Sequence, residues 1–452
     1  MDVSHIQKKD PAEIENYRPI MLLNTDYKLL TKTMALLLMR SIRDLIHLDQ
    51  VGFIPKRQIF DHIRLAKTVL TYTETMDVDG VIVALDQEKA YDKIRHDYLW
   101  DTLNKFDLPD IFTNTVKSLY ENAYTQVAIN GMMSEPFRVT RGVRQGDPLS
   151  CLLFDMAIEL LACKIRQSET IEGLNIPGLQ ENIKINLFAD DPTLYLNKND
   201  RLDLVETILD EWCEVSGAKF NLEKTEIIPF GTATHRANIA EMRKINQEDK
   251  KMLDHQIKIA RDGEAVCSLG AWIGNKINDP MPWETILDII REKLERWNRT
   301  HPTLYGKRLI AQVVIRGHTQ FLTKAQGMPP HIEEALTKIL RDFIWDHNTH
   351  PRIALEYLYL PLDEGGLNLL DINSRNEAIE IMWVKAYLDH PLMPSWAVIT
   401  DILINTSTPP GTSVIAMVNT FLQTWETPSR GPRLTRLGND IIGLHRGCVL
   451  FQ

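Results

Sequence analysis

The chain has 452 residues, of which 44% are hydrophobic and 25% charged, and its formal net charge is −10. That is an ordinary composition for a soluble globular protein, at a length that calls for about two or three subdomains. Apolar stretches such as Leu152 to Cys163 are broken by acids, here Asp155 and Glu159, so none reaches the ~20 apolar residues of a membrane span; the polar start is no signal peptide.

Residues 1–25 read as extended and proline-punctuated. A helix is predicted from Asp26, with Leu29, Leu30, Thr33, Leu36, Leu37 and Ile42 at helical spacing. Gly52-Phe-Ile-Pro55 ends it, and a second helix covers 60–75. Gly80-Val-Ile-Val-Ala-Leu-Asp86 is a β-branched run ending in an acid, the pattern of a buried central strand. Helices follow at 95–106 and 110–122. Thr125 to Ile129 and Phe137 to Thr140 are predicted to pair around Asn130-Gly131, a strong hairpin signal. The polar loop Arg141-Gly-Val-Arg-Gln-Gly-Asp-Pro148 opens a helix over 149–166.

Next comes Lys184-Ile-Asn-Leu-Phe-Ala-Asp-Asp-Pro-Thr-Leu-Tyr-Leu196, read as a β-hairpin with two acids at its tip. A helix over 201–215 is capped by Asn199-Asp200 and closed by Gly217. Thr225 to Pro229 is a strand, 232–252 is irregular or partly helical, and Ile257 to Ile259 is expected to pair with Val266 to Ile273. Helical patterns follow at 283–297, 306–325, 331–345 and 374–389. The last ~50 residues look like a loosely attached tail. The coarse result is an α+β region to about 275 and an all-helical region beyond it.

Five cysteines stand at 151, 163, 213, 267 and 448 without C-x-x-C spacing, so no zinc cluster can be built from them and free thiols in a reducing, intracellular setting are expected. A negative net charge argues mildly against a nucleic-acid binder. Distribution matters more than the sum. Arg291, Lys293, Arg296, Arg299, Lys307 and Arg308 cluster in one segment, and Arg430, Arg433, Arg436 and Arg446 form a looser group.

Adjacent carboxylates at Asp190 and Asp191 repel unless a cation is shared, although an Asp-Asp turn is the common reading of such a pair taken alone. Asp86 shares their setting at a strand end. If the strands are sheet neighbours, three hard oxygen donors converge, which suits Mg²⁺. Two such ions support phosphoryl transfer. The three carboxylates are therefore expected within reach of a shared metal.

Ordered motifs carry a family resemblance: Asn16-Tyr-Arg-Pro-Ile20, Gln50-Val-Gly-Phe53, Leu85-Asp-Gln-Glu-Lys-Ala-Tyr-Asp92, Arg141 to Ser150, Phe188-Ala-Asp-Asp191, Lys219-Phe-Asn-Leu-Glu-Lys-Thr225, Leu269-Gly-Ala-Trp-Ile-Gly274, and Phe343-Ile-Trp345 with Gly365-Gly-Leu367. From about Lys8 to Asp371 the chain resembles the reverse transcriptases of non-LTR (LINE-type) retrotransposons. The resemblance implies a right-hand polymerase with helical fingers, an antiparallel palm sheet and an all-helical thumb. It divides the chain into fingers and palm (1–275), thumb and connection (276–400) and a C-terminal tail (401–452). The implied chemistry is attack of a primer 3′-hydroxyl on a dNTP, directed by an RNA template and supported by two Mg²⁺ ions, with Mn²⁺ as a substitute. The implied partners are therefore an RNA template, a DNA primer and dNTPs, with no membrane. Nuclear access is implied by the family alone.

By the same matching, Asp86, Asp190 and Asp191 are the metal-binding catalytic triad. Tyr91 walls the incoming sugar, and Gln145 and Gly146 lie against the nascent base pair. Lys9 and Arg18 hold the triphosphate, with Lys8 as an alternative to Lys9; an exposed ion pair is the competing reading. Lys224 is matched to the residue that protonates pyrophosphate, with Lys219 as its rival. Leu269, Gly270, Trp272 and Gly274 support the primer terminus. Arg291, Arg296, Arg299, Lys307 and Arg308 track the backbone of an A-form-like hybrid.

Two departures from the family pattern stand out. Phe188 replaces a tyrosine, and Pro192 replaces a threonine or serine. Proline removes a ladder N–H and is tolerated only at a strand start or an unpaired position. The start is also expected to fall inside the fingers, and no endonuclease, zinc knuckle or RNase H segment is expected, as in a truncated retroelement copy. An active polymerase and a catalytically impaired remnant that keeps the fold and binds RNA are both expectations of this pattern. An RNA-directed RNA polymerase is a third, against which Tyr91 speaks.

Overall fold

A computed structural model describes residues 2–6, 17–121, 123–129, 131–277, 281–348, 351, 353–388 and 393–407. Two compact units divide the chain. One comprises Met1–His62, Asp79–Pro229 and Thr234–Ile259; the other comprises Ile63–Val78, Phe230–Ala233 and Ala260–Gln452.

The first unit opens with an antiparallel pair, β1 (Asp2–Ile6) and β2 (Tyr17–Ile20), followed by α1 (Thr25–Leu38), α2 (Ile42–Leu45) and the start of α3 (Ile59–Thr75). Strand β3 (Gly80–Ala84) leads to the short α4 (Ala90–Lys93), then α5 (His96–Lys105) and α6 (Asp110–Glu121). Four two-residue strands follow: β4 (Tyr124–Thr125), β5 (Ala128–Ile129), β6 (Met132–Met133) and β7 (Phe137–Arg138). The hairpin about residue 131 is closed by β5 and β6, while β7 pairs back with β4. The expected pairing of 125–129 with 137–140 is present at its outer end, where Thr125 faces Phe137, whereas Ala128 and Ile129 pair with Met133 and Met132. Next come α7 (Ser150–Gln167), the hairpin β8 (Ile185–Phe188) and β9 (Asp191–Asn197), α8 (Leu202–Ser216), β10 (Glu226–Phe230), α9 (Ala233–Met242) and β11 (Lys258–Ile259).

The central sheet has the order β11-β10-β3-β9-β8. Strands β3, β9 and β8 pair antiparallel, as an antiparallel palm sheet requires. One edge departs from that pattern: β11 pairs parallel with β10. The connection through α9 is long enough for the crossover a parallel pair needs. Residues 257–259 therefore do not pair with 266–273 as expected.

Strand β3 is buried on both faces, which explains its unbroken apolar run. Val81 and Val83 join Leu187, Leu194 and Leu196 in one core with Leu152, Leu153, Phe154 and Ile158 of α7. α7 is apolar on nearly every side and is buried accordingly. Each such Leu or Ile is worth roughly 2 kcal/mol relative to exposure. Sheet and helix together make a rigid floor for the acids.

The second unit carries most of α3 and the hairpin β12 (Val266–Ser268) and β13 (Ala271–Ile273). Helices follow: α10 (Met281–Asn298), α11 (Leu304–Ala311), α12 (Gly317–Gln326), α13 (Pro330–Ile344), α14 (Leu355–Tyr359), α15 (Ile372–Leu388) and α16 (Ser395–Ser407). A π-helical turn, Gln312–Arg316, joins α11 to α12. Described residues from 281 onward hold no strand. Trp283, Ile290, Leu294, Ile315, Leu336 and Leu340 form this unit's core. The Arg64 guanidinium lies 4.3 Å from the Trp383 ring centre and 4.8 Å from that of Trp396. α16 reaches into the region expected to be a tail; residues 408–452, with their four arginines, lie outside the described residues.

Candidate active site

β8 and β9 close on a two-residue loop, Ala189-Asp190, because Phe188 pairs with Asp191. Ala189 takes a positive φ of 52°, a strained state for a residue with a side chain. Asp190 and Asp191 therefore stand at the tip. Asp86 follows β3 by two residues, and its carbonyl accepts the Asn221 amide at 2.8 Å. The Glu88 amide reaches the Lys219 carbonyl at 2.8 Å, and Gln87 bridges to Phe220. Residues 219–221 thus run beside 86–88 and bring Lys224 to Asp86, Nζ to Oδ2 3.3 Å. Lys219 instead pairs with Glu88 at 3.1 Å.

Asp191 is an exposed residue of the tip, yet local burial of its carboxyl, then the charges of Asp190 and Asp86, push it up to about 7; Lys224 pulls the other way. The three acids are electrostatically coupled. Asp86 Oδ2 is buried and, apart from the Lys224 ion pair, has no hydrogen-bond partner. Hard oxygen donors under mutual repulsion, one with an orphaned buried oxygen, fit a divalent cation. The expectation of ready-made shared reach is not met: among the described residues no three His, Cys, Asp or Glu side chains gather as a metal-holding group. The Lys224 ammonium places a positive charge beside Asp86.

Pro192 is accommodated by register. Its carbonyl accepts the Leu85 amide at 2.9 Å, so its peptide edge faces β3. Toward β8 it pairs with Leu187 in a position that exchanges no hydrogen bonds. The ring therefore costs one rung, the last one shared with β3, and leaves the hairpin ladder intact.

The loop 141–148 docks on α4. The Gly142 amide donates to Ile94 O and the Val143 amide to Tyr91 O, both at 2.7 Å. Gly142 has φ +81°, and a Cβ there would fall 2.8 Å from the Asp92 backbone. Gln145 Nε2 donates to Asp92 Oδ1 at 3.0 Å. Gly146 has φ +76°, with the Met21 carbonyl 3.5 Å from where a Cβ would lie. Buried Asp147 accepts the Leu149 amide at 3.0 Å and the Tyr27 hydroxyl at 3.0 Å, fixing the start of α7. The Tyr91 ring packs on Phe154 at 4.6 Å, and burial followed by the Asp190 charge raises its hydroxyl pKa.

Three residues near the acids carry no role in the sequence reading. Gln50 is fully buried, and its Oε1 accepts the amides of Gly52 at 2.8 Å and Ala189 at 3.0 Å. A Cβ on Gly52 would fall 2.5 Å from Ala189 N. The motif Gln50-Val-Gly-Phe53 was the available signal. Asp155 is fully buried in α7 with neither carboxyl oxygen hydrogen-bonded. Burial, then the charges of Glu159 and Asp190, hold its pKa well above the usual range. Its signal was an acid breaking an apolar run.

Lys9 lies outside the described residues, and Arg18 is placed by backbone alone, in β2 opposite His5. In the second unit, Leu269 and Gly270 are the turn of β12–β13. Trp272 donates its amide to Gln326 Oε1 at 3.0 Å, and a Cβ on Gly274 would fall 2.4 Å from the Glu264 carbonyl. Arg296 and Arg299 are exposed on or just past α10, and Arg291 pairs with Asp288 at 2.8 Å. Arg308 lies over the Tyr305 ring at 5.5 Å. Lys307 is a correction to the basic set. It is 4% exposed, and its ammonium bonds Asp346 Oδ1 at 2.5 Å and the Ile344 carbonyl at 3.3 Å. Its place on α11 turns it inward, where an unpaired charge would be costly.

Residues 6–254, more than half of the chain, match the family described as reverse transcriptase (RNA-dependent DNA polymerase). The chain belongs to the reverse transcriptase family. It is similar to the transposon TX1 149 kDa protein of Xenopus laevis, at 26% identity over 397 residues, covering 87% of this chain and 29% of that one. The Pol polyprotein of the type-2 retrotransposable element R2DM of Drosophila melanogaster is 28% identical over 212 residues, covering 46% of this chain and 19% of its own. These relatives put it with the non-LTR retrotransposon reverse transcriptases, and it spans less than a third of their length. A solved telomerase from Candida tropicalis, in complex with a telomeric RNA fragment, aligns at TM-score 0.37 and 12% identity over 87% of this chain and 56% of that one. Family members generally use divalent metal ions. No helix among the described residues is long and apolar enough to cross a membrane.

Proposed function

We propose that this chain is an RNA-directed DNA polymerase that extends a primer 3′-hydroxyl with dNTPs on an RNA template. The observation that carries this reading is the placement of Asp86 just past β3 and of Asp190 and Asp191 at the tip of β8–β9, on neighbouring strands of one sheet. These acids would hold two Mg²⁺ ions, with Mn²⁺ as a substitute. Bound there, the ions would neutralise charge developing on the attacking and leaving oxygens. The protein's own work is positioning.

In this reading Tyr91, braced by Phe154, is the wall beneath the incoming sugar, and the loop of Gln145 and Gly146 lies against the nascent pair. Lys224 is favoured over Lys219 to protonate pyrophosphate because its ammonium lies against Asp86, one of the acids, whereas that of Lys219 lies against Glu88. Lys9 and Arg18 hold the triphosphate. Leu269, Gly270, Trp272 and Gly274 support the primer end. Arg291, Arg296, Arg299 and Arg308 follow the hybrid backbone. Fingers and palm are assigned to 1–275, thumb and connection to 276–400, and a tail to 401–452. The remnant reading rests on Pro192, whose single lost rung gives it little support.

Primer extension on poly(rA)/oligo(dT) with Mg²⁺ or Mn²⁺ tests the proposal. Incorporation that disappears in Asp190→Ala supports it. Absence of incorporation by the wild type sinks it, and preference for NTP over dNTP points to an RNA polymerase.

A further inference from the structure

We propose that Gln50 is a positioning residue for the catalytic tip, holding Asp190 and Asp191 in place through the Ala189 amide; this rests on the polymerase reading above. The tip has two reasons to open. Two carboxylates stand side by side on it, and Ala189 sits at φ 52° without glycine's freedom. The Ala189 amide is held from elsewhere in the fold, by Gln50 Oε1.

Residues 49–51 run alongside β8 as a short parallel rung. The Val51 amide donates to Leu187 O at 3.0 Å, and the Leu187 amide to Asp49 O at 2.8 Å. Where this backbone pairing stops, the Gln50 side chain continues it. Both neighbours of its amide end, Gly52 and Ala189, are N–H donors, so only the oxygen satisfies them and its orientation is determined. Nε2 makes no hydrogen bond among the described residues. The residue is therefore used as an acceptor alone. Arg57 stiffens the rung from behind, donating to the carbonyls of Gln50 at 2.6 Å and Ile46 at 2.8 Å. Gly52 permits the approach, since any Cβ there meets the same Ala189 amide. The chain of restraint runs from Arg57 to Gln50 to Ala189 and ends at the acids.

Amide hydrogen exchange over residues 186–192 tests this without requiring turnover. In Gln50→Leu the tip should exchange about tenfold faster or more, the loss expected for a buried donor stripped of its acceptor, while peptides of α7 and β3 keep wild-type protection. Gln50→Glu keeps an acceptor oxygen and should recover protection. Gly52→Ala, whose Cβ would fall 2.5 Å from the Ala189 amide nitrogen, should also loosen the tip. Mn²⁺ titration followed by EPR should weaken in Gln50→Leu and Gly52→Ala together. In primer extension kcat should fall with KM for dNTP unchanged. Tip exchange like wild type in Gln50→Leu overturns the proposal. So does a uniform acceleration across every peptide in all three variants, which would mean Gln50 serves general folding. If the wild type fails to extend a primer, the polymerase reading falls, and the exchange data still decide this one.

Discussion

Hairpins β8–β9 and β12–β13 both close on two residues, and they solve the same turn differently. Leu269 and Gly270 both take positive φ, 51° and 77°, the pairing that suits the right-handed twist of two strands. Glycine carries half of that turn at no steric cost, and Phe321 packs against it, 3.0 Å from where a Cβ would stand. The other tip has no glycine. Its positive φ falls on Ala189, its second loop position is an acid, and its amide is taken by a glutamine 139 residues earlier. A turn that only joins strands can be self-sufficient. A turn that must present charge gives its best turn positions to that charge and is restrained from outside.

Four measurements bear on this contrast. The largest effect is expected for Asp190→Ala. Primer extension should drop by about 10³-fold or more, since several kcal/mol of charge stabilisation is lost, while the melting midpoint should not fall because a repulsion is relieved. A lowered midpoint with retained extension would make the first tip as structural as the second. Next is a pH effect tied to the support of the first tip. Burial pushes the imidazole of His62, which lies near Asp49 and Arg57, down to about 4. The folded chain keeps it neutral while the unfolded chain protonates it near pH 6.5. Stability is therefore full above that value and is lost as pH falls toward 4. His62→Phe should remove about 1–3 kcal/mol of the difference between urea unfolding at pH 4.5 and at pH 7. An unchanged pH slope would detach the effect from this residue.

Third, Gly270→Ala should destabilise by about 1–2 kcal/mol, from a non-glycine residue at φ 77° and a tight contact with Phe321. Exchange at Ala189 should not change. Equal loosening of both tips would erase the contrast. The smallest effect is expected for Pro192→Thr, which restores one ladder N–H opposite Leu85, about 1 kcal/mol at most. Extension activity should change little. Recovery of activity from none would show instead that the proline distorts the tip and would favour the remnant reading.

Much of this was legible in the chain. β3 and β8–β9 announced themselves because alternation and a β-branched run are local signals, and the acids sit where those signals end. Residues 258–259 were mispaired because a parallel partner lies across a helix, whereas 266–268 and 271–273 lie across a turn. Lys307 read as one more cation in a basic run; only its position on α11, above Asp346 and Ile344, reveals that it faces inward. Gln50 belonged to a visible motif, yet a side chain that caps a backbone amide far along the chain leaves no trace in spacing. Asp155 was seen as an interruption of apolar sequence, and its coupling to Asp190 needed three dimensions.

Pro192 carries a lesson about drift. Along an antiparallel strand the peptide edges alternate, so neighbouring positions belong to different ledges of the sheet. Position 192 turns its missing hydrogen toward the frayed end of β3, where pairing is about to stop anyway. The same change at 191 or 193 would strike the pairs with Phe188 and Asn186 and unfasten the hairpin itself. Tolerance here is a matter of odd and even numbers: a lineage can lose the hydroxyl at one residue of this strand and keep its acids aimed, and cannot do so one step to either side.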